Sequence, residues 1–180
     1  MARGIAITGL LGVGKSALAR KLAADLGMTI IPTLVTRPTE PAEAEELISI
    51  ETAEFIDQVR AGSIVLPFYF GGHWYGYSSS DWGIAVRTGG AGLIFNVRPY
   101  TGLCIAAILS NVLPIWLDLP EDVRMVRLSG RGAKRDRLSG RSKEADLQDG
   151  IYQRVYPTVL DATNLDLAIR ELKRLTDFKE

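Results

Sequence analysis

The residues from Gly9 to Ser16 read Gly-Leu-Leu-Gly-Val-Gly-Lys-Ser and fit the pattern G-x-x-x-x-G-K-[ST] without a mismatch. The chemistry such a run supports is the gripping of a polyphosphate. Gly9, Gly12 and Gly14 let the backbone curl so that successive amides point inward, with no Cβ in the way of the phosphates. Val13 and Ala17 belong to the same cradle through their main chain. Lys15 reaches the outer phosphates, and the Ser16 hydroxyl is the expected metal ligand, for Mg²⁺. A helix beginning near Lys15 turns the positive end of its dipole to the same point. The expected ligand is a nucleoside triphosphate. The bland alternative is a glycine-rich turn ahead of an ordinary helix.

The flanking elements argue against the bland alternative. Gly4-Ile-Ala-Ile-Thr8 is a short apolar run of the buried-strand kind. Ala17, Leu18, Leu22, Ala23 and Leu26 recur at helical spacing, and Gly27 is a stop. Further on, Met28 to Ile31 reads as a second short strand. Pro32, Pro38 and Pro41 make Thr33 to Ala42 a loop. Ala42 to Ala61 has helical character, with a break near Ser49. Ser63 to Phe70 and Trp74 to Tyr77 read as strands about a Gly71-Gly72 turn. Ser78 to Asp81 caps a helix from Trp82 to about Thr88. Leu93 to Val97 and Val112 to Leu117 look like buried strands, with an apolar helix from Leu103 to Ser110 between them. Pro120-Glu-Asp-Val opens a helix that runs through Leu128. Arg131 to Lys143 is charged, a helix follows near Ala145 to Arg154, Val159 begins a last strand, and Leu165 to Leu175 is an amphipathic closing helix. Strands alternating with helices predict an α/β fold with a mostly parallel sheet covered on both faces.

At 180 residues the chain is expected to form one domain. No apolar run is long enough to span a bilayer, and Met1-Ala-Arg3 does not open a signal peptide. Cys104 is the lone cysteine and lies in an apolar segment, so it reads as a buried thiol. These features suit the cytoplasm. Net charge is zero, but the charges are sorted. Residues 40–57 hold seven acids and no base, whereas residues 124–143 hold eight bases and one acid. A basic stretch can mean nucleic acid. Without interleaved aromatics, and behind a triphosphate loop, it is better explained by arginines that cover bound phosphates.

Several stretches together resemble the guanylate kinase family of P-loop nucleotide kinases. They are the Gly9–Ser16 loop, Thr33-Leu-Val-Thr-Arg-Pro38, Gly72-His-Trp-Tyr-Gly-Tyr-Ser78 and Arg127-Leu-Ser-Gly-Arg-Gly132, in the family's order. The resemblance implies a P-loop NTPase three-layer fold with a parallel five-stranded central sheet. It implies a core of residues 1–32, 89–126 and 145–180, an acceptor-binding insertion of about 33–88, and a mobile lid of about 127–144. It also implies ATP and Mg²⁺ as cofactors and a small-molecule phosphate acceptor as partner. A homodimer is admitted; nucleic acid and membrane are not expected.

The departures carry information too. The family's second acceptor-side arginine is replaced by Glu40. Its guanine-reading carboxylate falls by spacing near Leu66, with no acid from Ser63 to Phe70. Tyr77 replaces its small hydroxyl. A site built to hydrogen-bond a base loses orders of magnitude without those groups, which argues against guanylate. The strand that commonly carries an Asp ends in Asn96-Val-Arg98, a feature similar to ribose bisphosphate phosphokinases.

These resemblances assign roles. Lys15, Arg127 and Arg131 are the expected catalytic residues, with Arg135, Arg137 and Arg141 as further cations of the lid. Thr33, Arg37, Glu43, Tyr75, Asn96, Arg98, Arg137 and Arg141 are expected around the acceptor. Each lid arginine has the alternative of a solvated basic face. Arg37 is either an acceptor anchor or a surface residue, and Trp74 and Tyr75 are either site or core aromatics. Glu40 and Glu43 either touch a hydroxyl-rich or cationic acceptor or belong to an acidic helix face. His73 is a base, an acceptor contact or a loop residue. Three functions stay open: a kinase, a nucleotide-dependent binding module without chemistry, and a P-loop hydrolase that uses Asp118.

Overall fold

A computed structural model describes residues 3–130 and 149–176, apart from the side chain of Ala42. In chain order the elements are β1 (Gly4–Gly9), α1 (Lys15–Leu26), β2 (Thr29–Ile30), β3 (Thr33–Val35), β4 (Leu47–Ser49), α2 (Thr52–Arg60), β5 (Ile64–Phe70), β6 (His73–Ser78), α3 (Ser79–Thr88), β7 (Leu93–Asn96), α4 (Pro99–Ile108), β8 (Val112–Asp118), α5 (Glu121–Gly130), β9 (Val159–Asp161) and α6 (Leu165–Thr176). Single 3₁₀ turns occupy Pro41–Glu43 and Ile151–Val155.

The central sheet runs β2-β7-β1-β8-β9 and all its pairings are parallel. Parallel neighbours cannot be joined by tight turns, so helices carry the crossovers and cover the faces. The alternation along β1 assigns those faces. Ile5 and Ile7 pack with Leu18 and Leu22 of α1 and Ile169 and Leu172 of α6. Ala6 turns to the other side, with Phe95, Ile105 of α4 and Ala85 of α3. Each such Leu or Ile contributes roughly 1.5–3 kcal/mol by leaving water. Register places Gly9 beside Leu117, and Ile7 beside Asn96. The loop after β1 and the side chain at the end of β7 therefore share the carboxyl edge of the sheet, where open α/β sheets bind ligands.

A second sheet, β4-β3-β6-β5, differs from the sequence reading. Thr33 to Ala42 is not all loop, because Thr33–Val35 is a strand with both end residues buried. Its three residues suit a pleated surface, and the prolines flank them without interrupting them. Nor is Ala42 to Ala61 helical throughout. Only Thr52–Arg60 forms an α-helix, and Leu47–Ser49 pairs parallel to β3. The acids misled the pattern: Glu40 and Glu43 close a capping box about a single turn, which cannot propagate.

Smaller differences concern helix starts. α4 begins at Pro99, which fits a first helical position, and ends at Ile108. α3 begins at Ser79, with the Ser78 hydroxyl accepting from the Asp81 amide at 3.0 Å. Cys104 is half-buried on α4 rather than enclosed. Arg131, Arg135, Arg137 and Arg141, most of the expected lid, and most of the helix expected near Ala145 to Arg154 lie outside the described residues. Among the described residues no helix is long and apolar enough to cross a membrane.

Candidate active site

The loop after β1 takes the shape its glycines permit. Gly9, Gly12 and Gly14 have φ of 134°, 83° and 110°. A Cβ on Gly9 would lie 2.5 Å from the Leu117 carbonyl oxygen, and one on Gly12 would lie 2.6 Å from Leu128 Cγ. Either contact would push the loop off the sheet edge. Gly14 stands at the amino end of α1 without a side-chain cap, and the first turn carries no acid. The amides of Lys15, Ser16 and Ala17 have no partner within the helix, as in the first turn of any α-helix, which makes an anion site of that end.

The loop's carbonyls are engaged. Lys15 Nζ donates to the carbonyls of Gly9 (2.9 Å) and Leu10 (3.0 Å). From α5, Arg124 donates to the Leu11 carbonyl at 3.1 Å, and Arg127 to those of Val13 and Ala162, both at 3.2 Å. Three residues apart on one helix, the two arginines share a face and hold alternate carbonyls of the loop. Arg124 is buried, and the sequence reading did not single it out. Its spacing from Arg127 was the available signal. Arg127 lies against the loop's main chain, bridging it to the end of β9.

Beside the loop, Ser16, Asn96 and Glu46 form one network. The Ser16 hydroxyl donates to Glu46 Oε2 at 2.8 Å. Asn96 Nδ2 donates to Ser16 Oγ at 3.2 Å and also to Glu46 Oε2. Arg20 Nη1 donates to Glu46 Oε1 at 3.0 Å. Glu46, just ahead of β4, was also missed, because it sat among six other acids on a stretch read as helix. Its weak signal was a position next to the apolar Leu47-Ile48. The donor set is a hydroxyl, an amide and a carboxylate, with no sulfur or imidazole, and it fits a hard cation such as Mg²⁺.

Solved structures share this architecture across the whole chain. Guanylate kinase from Anaplasma phagocytophilum superposes with a TM-score of 0.72 at 13% identity, covering 97% of this chain and 85% of that one. Shikimate kinase from Bacteroides thetaiotaomicron gives 0.52 at 14% identity, covering 97% and 98%. A gluconokinase from Sinorhizobium meliloti gives 0.50 at 17%, covering 98% and 94%. The fold is that of the P-loop kinases. No protein-family model matches the chain, and no curated protein matches it in sequence.

Within this P-loop kinase fold the residues expected at the acceptor divide into two groups. Asn96 stands beside Ser16, as described. Thr33 is buried on β3, where its amide donates to the Glu46 carbonyl at 2.9 Å. Farther along the second sheet, Arg37 makes a two-pronged pair with Glu43, at 2.8 and 2.9 Å. That carboxylate, helped by the Tyr75 phenol, raises the Arg37 guanidinium above its ordinary range against the cost of burial. Tyr75 stacks on Phe68 with centroids 5.1 Å apart. Arg98 leaves the end of β7, donates to Asp149 Oδ1 at 2.6 Å and covers the ring of Phe70. His73 Nδ1 donates to the Thr36 carbonyl at 3.3 Å.

Two of the positions that depart from the guanylate kinase pattern, Leu66 and Tyr77, also have clear surroundings. Leu66 has a φ of 49° and lies in an irregularity of the β5–β6 pairing, packed against the apolar cluster under α4. Tyr77 is fully buried, edge-on to Phe95 and tilted against Trp82. Burial pushes its phenol well above the usual tyrosine range.

Proposed function

We propose that the chain is an ATP- and Mg²⁺-dependent phosphotransferase. It moves the γ-phosphoryl group to a small acceptor, most simply a nucleotide, nucleoside or phosphosugar other than guanylate. The observation that carries this reading is the loop between β1 and α1. Its carbonyls are tied back by Lys15, Arg124 and Arg127, beside an uncapped helix end that bears Ser16.

Phosphoryl transfer asks a protein for positioning and charge neutralisation more than for covalent chemistry. In this reading the loop amides and Lys15 hold the β- and γ-phosphates, and Lys15 exchanges its two carbonyl partners for phosphate oxygens. Ser16, with Asn96 next to it, holds Mg²⁺, which when bound offsets the charge that develops on the transferred group. Arg127 keeps the loop in shape from α5. Arg131, Arg137 and Arg141 are proposed to close from the 127–144 segment and stabilise equatorial charge. The acceptor is taken by the 33–88 segment, with Arg37, Tyr75 and Arg98 as the cationic and phenolic contacts.

The enclosure of Tyr77 and the apolar setting of Leu66 support the exclusion of guanylate, because neither offers a carboxylate or a small hydroxyl to a purine edge. The test is a panel of nucleotides, nucleosides and phosphorylated sugars incubated with ATP and Mg²⁺, read as ADP formation. One acceptor should stimulate ADP release strongly and guanylate weakly. Guanylate as the fastest acceptor would overturn the acceptor reading. Tight nucleotide binding with no transfer to any acceptor would favour the binding module instead.

A further inference from the structure

Of the seven acids between residues 40 and 57, Glu46 is the buried one, at 5% exposure. Nothing in phosphate binding as described above uses it. A carboxylate is expensive to take out of water, and its cationic partner Arg20 is itself 41% exposed. A glutamine could fasten Ser16 to the second sheet without that cost. The retained charge is explained if a cation belongs beside it.

We propose that Glu46 supplies the anionic charge for a divalent cation at Ser16. The proposal rests on the nucleotide-binding reading above. In P-loop NTPases a strand-end aspartate helps the loop hydroxyl to hold Mg²⁺. Here the strand beside β1 ends in the neutral Asn96, and Asp118 at the end of β8 is exposed. Glu46 arrives from the second sheet instead. It accepts the Ser16 hydroxyl proton at 2.8 Å, so Ser16 Oγ keeps a lone pair for the metal beside the one that receives the Asn96 amide. It also accepts from Asn96, fixing that amide alongside. Glu46 is thus a positioning residue that acts through Ser16 and adds negative charge close to the metal.

Its main chain is fastened to the acceptor side. The Glu46 amide donates to the Glu43 carbonyl and the Glu46 carbonyl accepts from the Thr33 amide, each at 2.9 Å. Loading of the cation and the placement of β3 and β4 are therefore linked through one residue.

The test uses the full chain with a non-hydrolysable β,γ-imido analogue of ATP. Calorimetry measures analogue affinity with Mg²⁺ and in EDTA, and electron paramagnetic resonance measures Mn²⁺ held in the analogue complex. Glu46→Gln should lose about 10- to 100-fold in Mn²⁺ affinity. Its affinity for the metal-free analogue should stay level or rise, because a negative charge near the phosphates is gone. Glu46→Asp keeps the charge at a shorter reach and should fall between. Should Glu46→Gln not fold, weaker Mn²⁺ binding by Glu46→Asp at unchanged metal-free affinity supports the proposal. Mn²⁺ binding at the unsubstituted level in the folded variants overturns it. So does an equal loss of affinity with and without metal, which is what a purely structural Glu46 would give. Failure of the unsubstituted chain to bind the analogue in either condition overturns the nucleotide-binding reading itself, and this proposal with it.

Discussion

The guanidinium of Arg98 lies face-on to the ring of Phe70, with its central carbon 3.1 Å from the ring centroid. One residue follows β7 of the central sheet and the other ends β5, so the contact joins the two sheets. A planar guanidinium stacks where an ammonium does not. Arg98→Lys and Phe70→Leu should therefore be non-additive in denaturant unfolding, with a coupling of about 0.5–2 kcal/mol. Strict additivity would mean that the two sheets are held together by other contacts.

Lys15→Ala removes the cation that ties the loop to itself and, in the proposed mechanism, grips the outer phosphates. Steady-state transfer should fall by about 100- to 1,000-fold, the cost of losing one preorganised electrostatic contact to the reacting group. Circular dichroism should remain that of the unsubstituted protein, because Lys15 stands at the edge of the core and not in it. Turnover unchanged in this variant would remove the loop from the mechanism.

Gly12→Ala places a methyl group against Leu128 and forces an L-residue to a φ of 83°. The two penalties together should lower stability by about 1–3 kcal/mol and weaken nucleotide binding. Adding Leu128→Ala opens the space but leaves the backbone strain. Nucleotide affinities of the single and double variants separate the two, because Leu128→Ala lowers stability by itself: the double variant regains binding if the clash dominates and does not if the dihedral does.

Tyr156 gives a pH signature. Its hydroxyl donates to the Pro99 carbonyl at 2.6 Å, and burial pushes its phenol up to about 12. An unfolded tyrosine titrates near about 10. The neutral phenol is therefore favoured in the fold. Its contribution is complete below about pH 10 and is lost as the pH rises towards about 12. Tyr156→Phe should cost about 0.5–1.5 kcal/mol at neutral pH and flatten the alkaline decline. Denaturant midpoints at neutral pH and near about pH 11 give both numbers.

The loop and the central sheet were legible in the sequence because each depends on local pattern. Gly9, Gly12, Gly14, Lys15 and Ser16 form a fixed spacing, and strands buried on both faces appear as unbroken apolar runs such as Leu93 to Phe95. The second sheet was not legible. β3 and β4 have three residues each, too few for periodicity, and their pairing is specified by contacts across the chain. Glu46 was hidden for the same reason. Its place next to Leu47 is a weak mark that does not tell it apart as a site residue, and only the fold brings it to Ser16, thirty residues back. Arg124 could have been found from its spacing to Arg127, but its task depends on how α5 docks against the loop.

The pairing of β2 with β7 has a consequence for how such a chain can change. Thr29 and Ile30 sit directly beside Leu93 and Ile94, so everything between them departs and returns through one doorway in the main sheet. Lengthening or exchanging that excursion would not require any strand of the sheet to move. The residues from Gly9 to Lys15 would be untouched by such an exchange, whereas Ser16 would keep its carboxylate partner only if the incoming segment again supplied a side chain in the place of Glu46.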